Sequence, residues 1–126
     1  MRGLTEDRGF LPLFTFTKEE RLRRRADYLG LSAAAHKIHT TSFLILWAPN
    51  SQGSCRIGIT ASRKVGNAVI RNRIKRLVRE YYRLHKAHFP PLDINVIARR
   101  GAEKLDYHSV CHELDRVVER LAGIPC

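Results

Sequence analysis

Residues 63–86 constrain the fold of this chain more tightly than any other stretch. Ile70, Ile74, Leu77, Val78 and Tyr81 recur at i, i+4, i+7, i+8 and i+11, one apolar stripe on a helix predicted from about Ala68 to Ala87. The same 24 residues carry nine Lys/Arg against one acid, Glu80. Arg71, Lys75, Arg79 and Arg83 form an i, i+4 row beside the stripe, supported by Arg73 and Arg76. Such a helix buries one side in a core and repels itself elsewhere unless a polyanion lies alongside. Nucleic acid is the first partner this pattern implies.

The charge is segregated along the chain. The 126 residues have a formal net charge of +11, and residues 18–86 alone hold 16 Lys/Arg and four acids. Residues 1–17 are balanced, and residues 87–126 hold five Lys/Arg against six acids. A uniformly basic chain need not have a binding face; a segregated one does. Cys55, Cys111 and Cys126 are odd in number and lack a C-x-x-C pair, which argues against a disulfide framework and a secreted life. No apolar run approaches the roughly 20 residues of a bilayer span, and the opening residues, with Glu6 and Asp7, do not form a signal peptide. A cytoplasmic location without membrane association is expected.

The chain length fits one domain. Residues 1–16 read as a flexible lead-in, although Phe10, Leu11, Leu13, Phe14 and Phe16 are able to pack; residues 17–123 form the domain and residues 124–126 a tail. Thr17-Lys18-Glu19-Glu20 matches a capping box and predicts a first helix from about Lys18 to Leu29, ended by Gly30. Arg21, Arg23, Arg24 and Arg25 coat it, and Leu22, Ala26 and Leu29 are left for the core. Lys37–Thr41 and Ser42–Ala48 read as extended chain, followed by turn chemistry at 50–54. Arg56–Ala61 alternates, with Ile57, Ile59 and Ala61 on one face and Arg56, Gly58 and Thr60 on a small, polar one. After the basic helix, Pro90-Pro91 stops the chain, 93–99 forms another strand, and a last helix runs from about Tyr107 to Ala122. Its core face is Val110, Leu114, Val117, Val118 and Leu121. The predicted order is α-β-β-β-α-β-α: one sheet of about four strands with three helices packed on it.

Ser62-Arg63-Lys64-Val65-Gly66-Asn67-Ala68-Val69-Ile70-Arg71-Asn72-Arg73-Ile74-Lys75-Arg76 closely resembles the protein subunit of bacterial ribonuclease P, with the family's Arg-Asn-Arg signature intact at 71–73. The resemblance covers roughly residues 18–122. It implies an α/β (α+β) sandwich similar to a ribosomal-protein domain, with a left-handed β-α-β crossover that departs from the usual right-handed rule. It also implies a non-catalytic subunit that assists a catalytic RNA, in a 1:1 ribonucleoprotein using Mg²⁺, in removing the 5′ leader from precursor tRNA. By the same resemblance Lys64, Arg71, Asn72, Arg73, Lys75, Arg76 and Arg79 face the catalytic RNA and the cleavage region. Tyr28, Leu44, Leu46, Arg56 and Thr60 line a leader-binding cleft. Leu46 stands where the family often has an aromatic, which reduces base stacking there.

The residue types agree with those roles. Arginine grips phosphate oxygens with a planar fork and stacks on bases. Cations at the start of a helix oppose its dipole, and a phosphate bound there offsets the penalty. Each feature also has a plainer reading. A basic amphipathic helix alone is usually a solvated face, Tyr28 alone a core-edge aromatic, and Leu44 and Leu46 plain core. His108, Cys111 and His112 share a helical neighbourhood without a fourth zinc ligand. His85 and His88 suggest acid–base chemistry, but the basic half offers only Glu19, Glu20, Asp27 and Glu80 as carboxylates. The alternative function is a structural RNA-binding protein, similar to a ribosomal protein, with no part in catalysis.

Overall fold

The computed structural model describes residues 18–34, 36–50 and 53–123. A 3-10 turn at Lys18–Glu20 leads to α1 (Arg25–Ala34), β1 (His36–His39), β2 (Phe43–Pro49), β3 (Arg56–Thr60), α2 (Ala68–His85), β4 (Leu92–Ala98) and α3 (Tyr107–Ala122). Short 3-10 turns follow α2 and β4. The sheet order is β1-β2-β4-β3: β1–β2 and β2–β4 are antiparallel, and β3–β4 is parallel. A parallel pair of neighbours needs a crossover connection, and α2 supplies it. The expected four-stranded, three-helix α/β architecture is present.

Alternation decides which face of the sheet holds the core. Phe43, Ile45, Trp47, Ile57, Ile94 and Val96 point to one side and are buried with Ile74, Val78 and Tyr81 of α2 and Val110, Leu114, Val117 and Leu121 of α3. The stripes predicted for both helices supply this cluster, with Ile70, Leu77 and Val118 half-buried at its edge. Asn67 caps α2, its side chain accepting from the Ile70 amide at 3.0 Å, and Asp106 caps α3 through the Ser109 amide at 2.8 Å. The Tyr81 hydroxyl donates to Asp115 at 2.6 Å and so bolts α2 to α3.

The first helix differs from its prediction. Arg21 forms a parallel bridge to Ile57, and the Leu22 amide donates to the Ile57 carbonyl at 3.0 Å. β3 is an edge strand, and its unpaired backbone groups capture this segment before it coils. The Arg21–Arg25 cluster would also oppose the dipole of a helix starting at Lys18. The helix therefore begins at Arg25 and continues through Gly30, which is exposed and costs about 0.5–1 kcal/mol relative to alanine. Leu22 is buried as expected, but Ala26 and Leu29 are exposed, Leu29 at 55%, and Leu31 takes the core position. Glu20 accepts from the Tyr82 hydroxyl at 2.9 Å and pairs with Lys86 at 3.1 Å, tying the segment before α1 to the end of α2; the capping box itself turns on Thr17. Thr17, the lead-in and the tail lie outside the described residues.

Buried hydroxyls and a thiol give the fold an alkaline limit. Burial, with nearby Asp93 and Glu20, pushes the Cys55 thiol from 9.0 up to about 12. Burial also raises the Tyr81 and Tyr82 hydroxyls well above 10.0; the Asp115 hydrogen bond adds at Tyr81, and Cys55 and Glu20 add at Tyr82. These groups stay neutral in the folded chain and ionise earlier in the unfolded one. Their contribution is whole below about pH 9 and is lost as pH rises through about 9–12. Urea midpoints should accordingly be flat from pH 7 to 8.5 and fall steeply by pH 10.5; a flat profile to pH 11 would contradict this burial.

Candidate nucleic-acid interface

The face of the sheet opposite the main core is covered only in part, by α1. Register places Leu46, Asn95 and Gly58 side by side in one row, with Leu44, Ile97 and Thr60 in the next and Ala48, Asp93 and Arg56 in the row before. Leu31 of α1 and Leu46 of β2 are buried outside the main cluster, Leu46 at 5% exposure. Leu46 thus supports the floor from within, and Leu44 is half-buried. The Thr60 hydroxyl donates to the Asn95 side-chain oxygen at 3.0 Å, fixing a polar strip beside the apolar one.

A cleft of about 210 Å³ opens between this face, α1 and α2, lined by Arg21, Leu22, Tyr28, Gly58, Lys75 and Arg79 among others. The Tyr28 hydroxyl donates to the Leu22 carbonyl at 2.9 Å, and its ring lies against Gly58. A Cβ at Gly58 would come within 2.7 Å of Tyr28 Cζ, so only glycine admits the ring there. Burial first, then Asp27, raises the Tyr28 pKa, and the Arg79 charge partly offsets them. Tyr28 is therefore a neutral, half-exposed aromatic held at both its edge and its face, with cations on the opposite wall.

Arg56 sits in the same cleft region but is already engaged. Its Nε and Nη2 donate to the two Asp93 oxygens at 2.9 and 2.7 Å, and Asp27 lies 3.6 Å from Nη2. The Asp93 hydrogen bonds raise its pKa first of all. Asn50 also donates to Asp93, at 2.8 Å. The group joins α1 to β3 and β4, and Arg56 offers little unbalanced charge to a ligand.

The signature helix is divided rather than one-faced. At 100° per residue, Arg71, Lys75 and Arg79 run down the flank facing the cleft, Asn72 and Arg76 are exposed outward, and Arg73 lies roughly 160° around from Arg71. Arg71 Nε is buried and makes no hydrogen bond within the protein. No acid occupies the first turn of α2, so its positive pole is uncompensated by side chains. Lys64 is exposed in the turn before α2, where the Val65 amide donates to Ser62. Gly66 packs on Ile70 beside it, where an added Cβ would meet Ile70 Cγ2 at 2.9 Å.

The structure thus brings together Tyr28, Lys75 and Arg79, sets Arg56, Thr60, Leu44 and Leu46 on the adjoining face, and leaves Arg73 apart from Arg71. Arg21 and Gly58 are cleft residues that sequence reasoning did not single out. Gly58 was visible as the small member of an alternating face; Arg21 had no local signal, because its bridge to β3 is a long-range contact. Among the described residues no group of three or more His, Cys, Asp or Glu is placed to hold a metal ion, and no helix is long and apolar enough to cross a membrane.

A family model described as Ribonuclease P matches residues 16–122. The ribonuclease P protein component of Geotalea uraniireducens is 50% identical over 108 residues, covering 86% of this chain and 96% of that protein. That of Dictyoglomus thermophilum is 36% identical over 115 residues, covering 89% and 96%. Among solved structures, the RNase P protein of Thermotoga maritima superposes with a TM-score of 0.74 at 34% identity, over 80% of this chain and 96% of that one. The Staphylococcus aureus RNase P protein gives 0.75 at 33%, over 80% and 94%. Motif, sheet order and these matches agree along the described domain, and the chain belongs to the ribonuclease P protein family, the protein component of a tRNA-processing endoribonuclease.

Proposed function

We propose that this chain binds the catalytic RNA of ribonuclease P through Lys64, Arg71, Asn72, Arg73, Lys75, Arg76 and Arg79, and receives the 5′ leader of precursor tRNA in the cleft at Tyr28. Bond cleavage is left to the RNA. The observation that carries this reading is the opposition of a restrained aromatic, Tyr28 on Gly58, to the Lys75–Arg79 wall across a narrow cleft. A base stacks on the ring while its phosphates meet the cations, a pairing suited to single-stranded nucleic acid. Arg21 adds a second cationic edge, and Thr60 offers a polar group on the adjoining sheet face.

Mg²⁺ is assigned to the ribonucleoprotein. The carboxylates nearest the cleft, Asp27 and Asp93, are turned to Arg56 and do not form an open oxygen set that fits the ion. The role of this chain is therefore to raise the local concentration and alignment of leader and RNA, at one protein per RNA. Cleavage of leader-bearing precursor tRNA by the cognate catalytic RNA, with and without this protein across a Mg²⁺ series, tests it. The protein should lower the Mg²⁺ needed for cleavage. No gain at any Mg²⁺ level would sink the proposal, as would trimming by the purified protein without RNA.

A further inference from the structure

The edge of the sheet opposite the leader cleft carries a second concentration of cations. The β1–β2 turn and α3 enclose a cleft of about 460 Å³, lined by His39, Thr40, Thr41, His112, Arg116 and Arg120 together with Glu113. β1 and β3 are the two edge strands, so about three strand spacings, or roughly 14 Å, separate this cleft from the Tyr28 side. It is a separate surface. Its two arginines belong to residues 87–126, which are not basic overall, so these cations are not spill-over from the signature helix.

We propose that this cleft binds a phosphodiester group of RNA, giving the protein a second RNA contact beyond α2; the inference rests on the ribonuclease P reading above. Three observations carry it. First, the one carboxylate among the lining residues is turned toward the donors of the β1–β2 turn, away from the arginines. Glu113 Oε1 accepts from the Thr40 hydroxyl at 2.7 Å and the Ser42 amide at 2.8 Å, and Oε2 accepts from the Ser42 hydroxyl at 2.8 Å. It fixes the turn against α3.

Second, Arg116 and Arg120 are exposed and, among the described residues, neither forms an ion pair, although Glu113 and Glu119 each lie three positions from Arg116 and Asp115 is adjacent in sequence. His112, Arg116 and Arg120 repeat at i, i+4 and i+8, so two guanidinium groups and an imidazole share one ridge facing the turn. An anion between the ridge and the turn would meet both guanidinium groups.

Third, the opposite wall offers donors. Thr41 is exposed, His39 faces the same cleft, and the Arg99 guanidinium donates to the Thr40 carbonyl at 3.2 Å, leaving its charge at the turn. Arginine pairs flanked by hydroxyl and imidazole groups suit phosphate oxygens. The phosphate has two possible sources, the catalytic RNA or the body of the precursor tRNA.

The test compares the wild-type protein with Arg116→Gln/Arg120→Gln, Arg116→Lys/Arg120→Lys and, as a reference, Arg71→Ala. Affinity is measured over a salt series for the catalytic RNA alone, and for precursor tRNA added to the preassembled complex. In one of the two series the Gln pair should flatten the slope of log K against log salt by about one to two, with the Lys pair close to wild type. The series that changes identifies the source. A photo-crosslinking amino acid at Thr41 should then label that RNA. Unchanged slopes in both series, with Arg71→Ala still altering binding, overturn the second site alone. A wild-type protein that binds neither RNA overturns the parent reading as well. Thr41, Arg116 and Arg120 are exposed and Arg71 is half-buried, and melting curves matched to wild type will show that the fold is kept.

Discussion

Gly58→Val should strip the protein of most of its preference for leader-bearing precursor tRNA while leaving its grip on the catalytic RNA intact. A Cβ at this position meets Tyr28 Cζ at 2.7 Å and Cε1 at 2.8 Å, distances that real carbon contacts do not reach. The ring cannot slide within its plane without breaking its 2.9 Å hydrogen bond to the Leu22 carbonyl, and that residue is held by its own N–H, which donates to the Ile57 carbonyl. Valine must expel the ring from the floor. One base–aromatic stack is worth about 1–3 kcal/mol, so leader affinity should fall about 5- to 150-fold. Gly58→Ala should give a smaller loss in the same direction. Both should be non-additive with Tyr28→Ala, because a ring already gone cannot be displaced again. Anisotropy titrations with leader-bearing and leaderless tRNA decide the matter. Equal losses for both RNAs, or leader affinity untouched by valine, would remove Tyr28 from the binding role.

What was legible in the residues, and what was not, follows from the range of the interactions. α2 and α3 begin and end close to where their stripes placed them, because an amphipathic period is a local signal. The first helix was misplaced because its competitor was distant: the free edge of β3, some 35 residues on, captures Arg21 and Leu22 and delays the helix to Arg25. The partners of Glu20 in α2, Tyr82 and Lys86, were equally out of reach of local signals. The face parity of Arg56, Gly58 and Thr60 was readable from alternation. Their neighbours were not, since the order β1-β2-β4-β3 depends on the crossover through α2, and only that order sets Gly58 beside Asn95 and Leu46. The pairing of Arg56 with Asp93, 37 positions away, had no local signal. The resemblance named cleft residues that the periodicity alone would have left as core, yet it could not show Leu46 to be buried.

Neutralising Arg71, Lys75 and Arg79 together, each to glutamine, should weaken binding to the catalytic RNA roughly a hundredfold at 0.15 M salt. Each phosphate contact on RNA releases about 0.7–0.9 of a counterion, so three lost contacts should reduce the salt slope by about two to three. The single change Arg73→Gln should reduce it by about one, because that side chain projects from the far flank of α2 and would meet a different RNA segment. The free protein should melt no lower than wild type in either case. Glutamine is a good helix former, these side chains flank rather than fill the core stripe, and removing three like charges relieves repulsion along the helix. Arg71 is the sharpest member of the set, since its buried Nε has no acceptor within the protein and gains one only from a ligand. Arg71→Lys should therefore fail to restore wild-type affinity, whereas Arg79→Lys, at an exposed position, should come close. Binding isotherms at 50, 100, 200 and 400 mM salt separate these outcomes. A triple variant with the wild-type slope would mean that α2 presents its cations to solvent alone and that the protein holds RNA elsewhere.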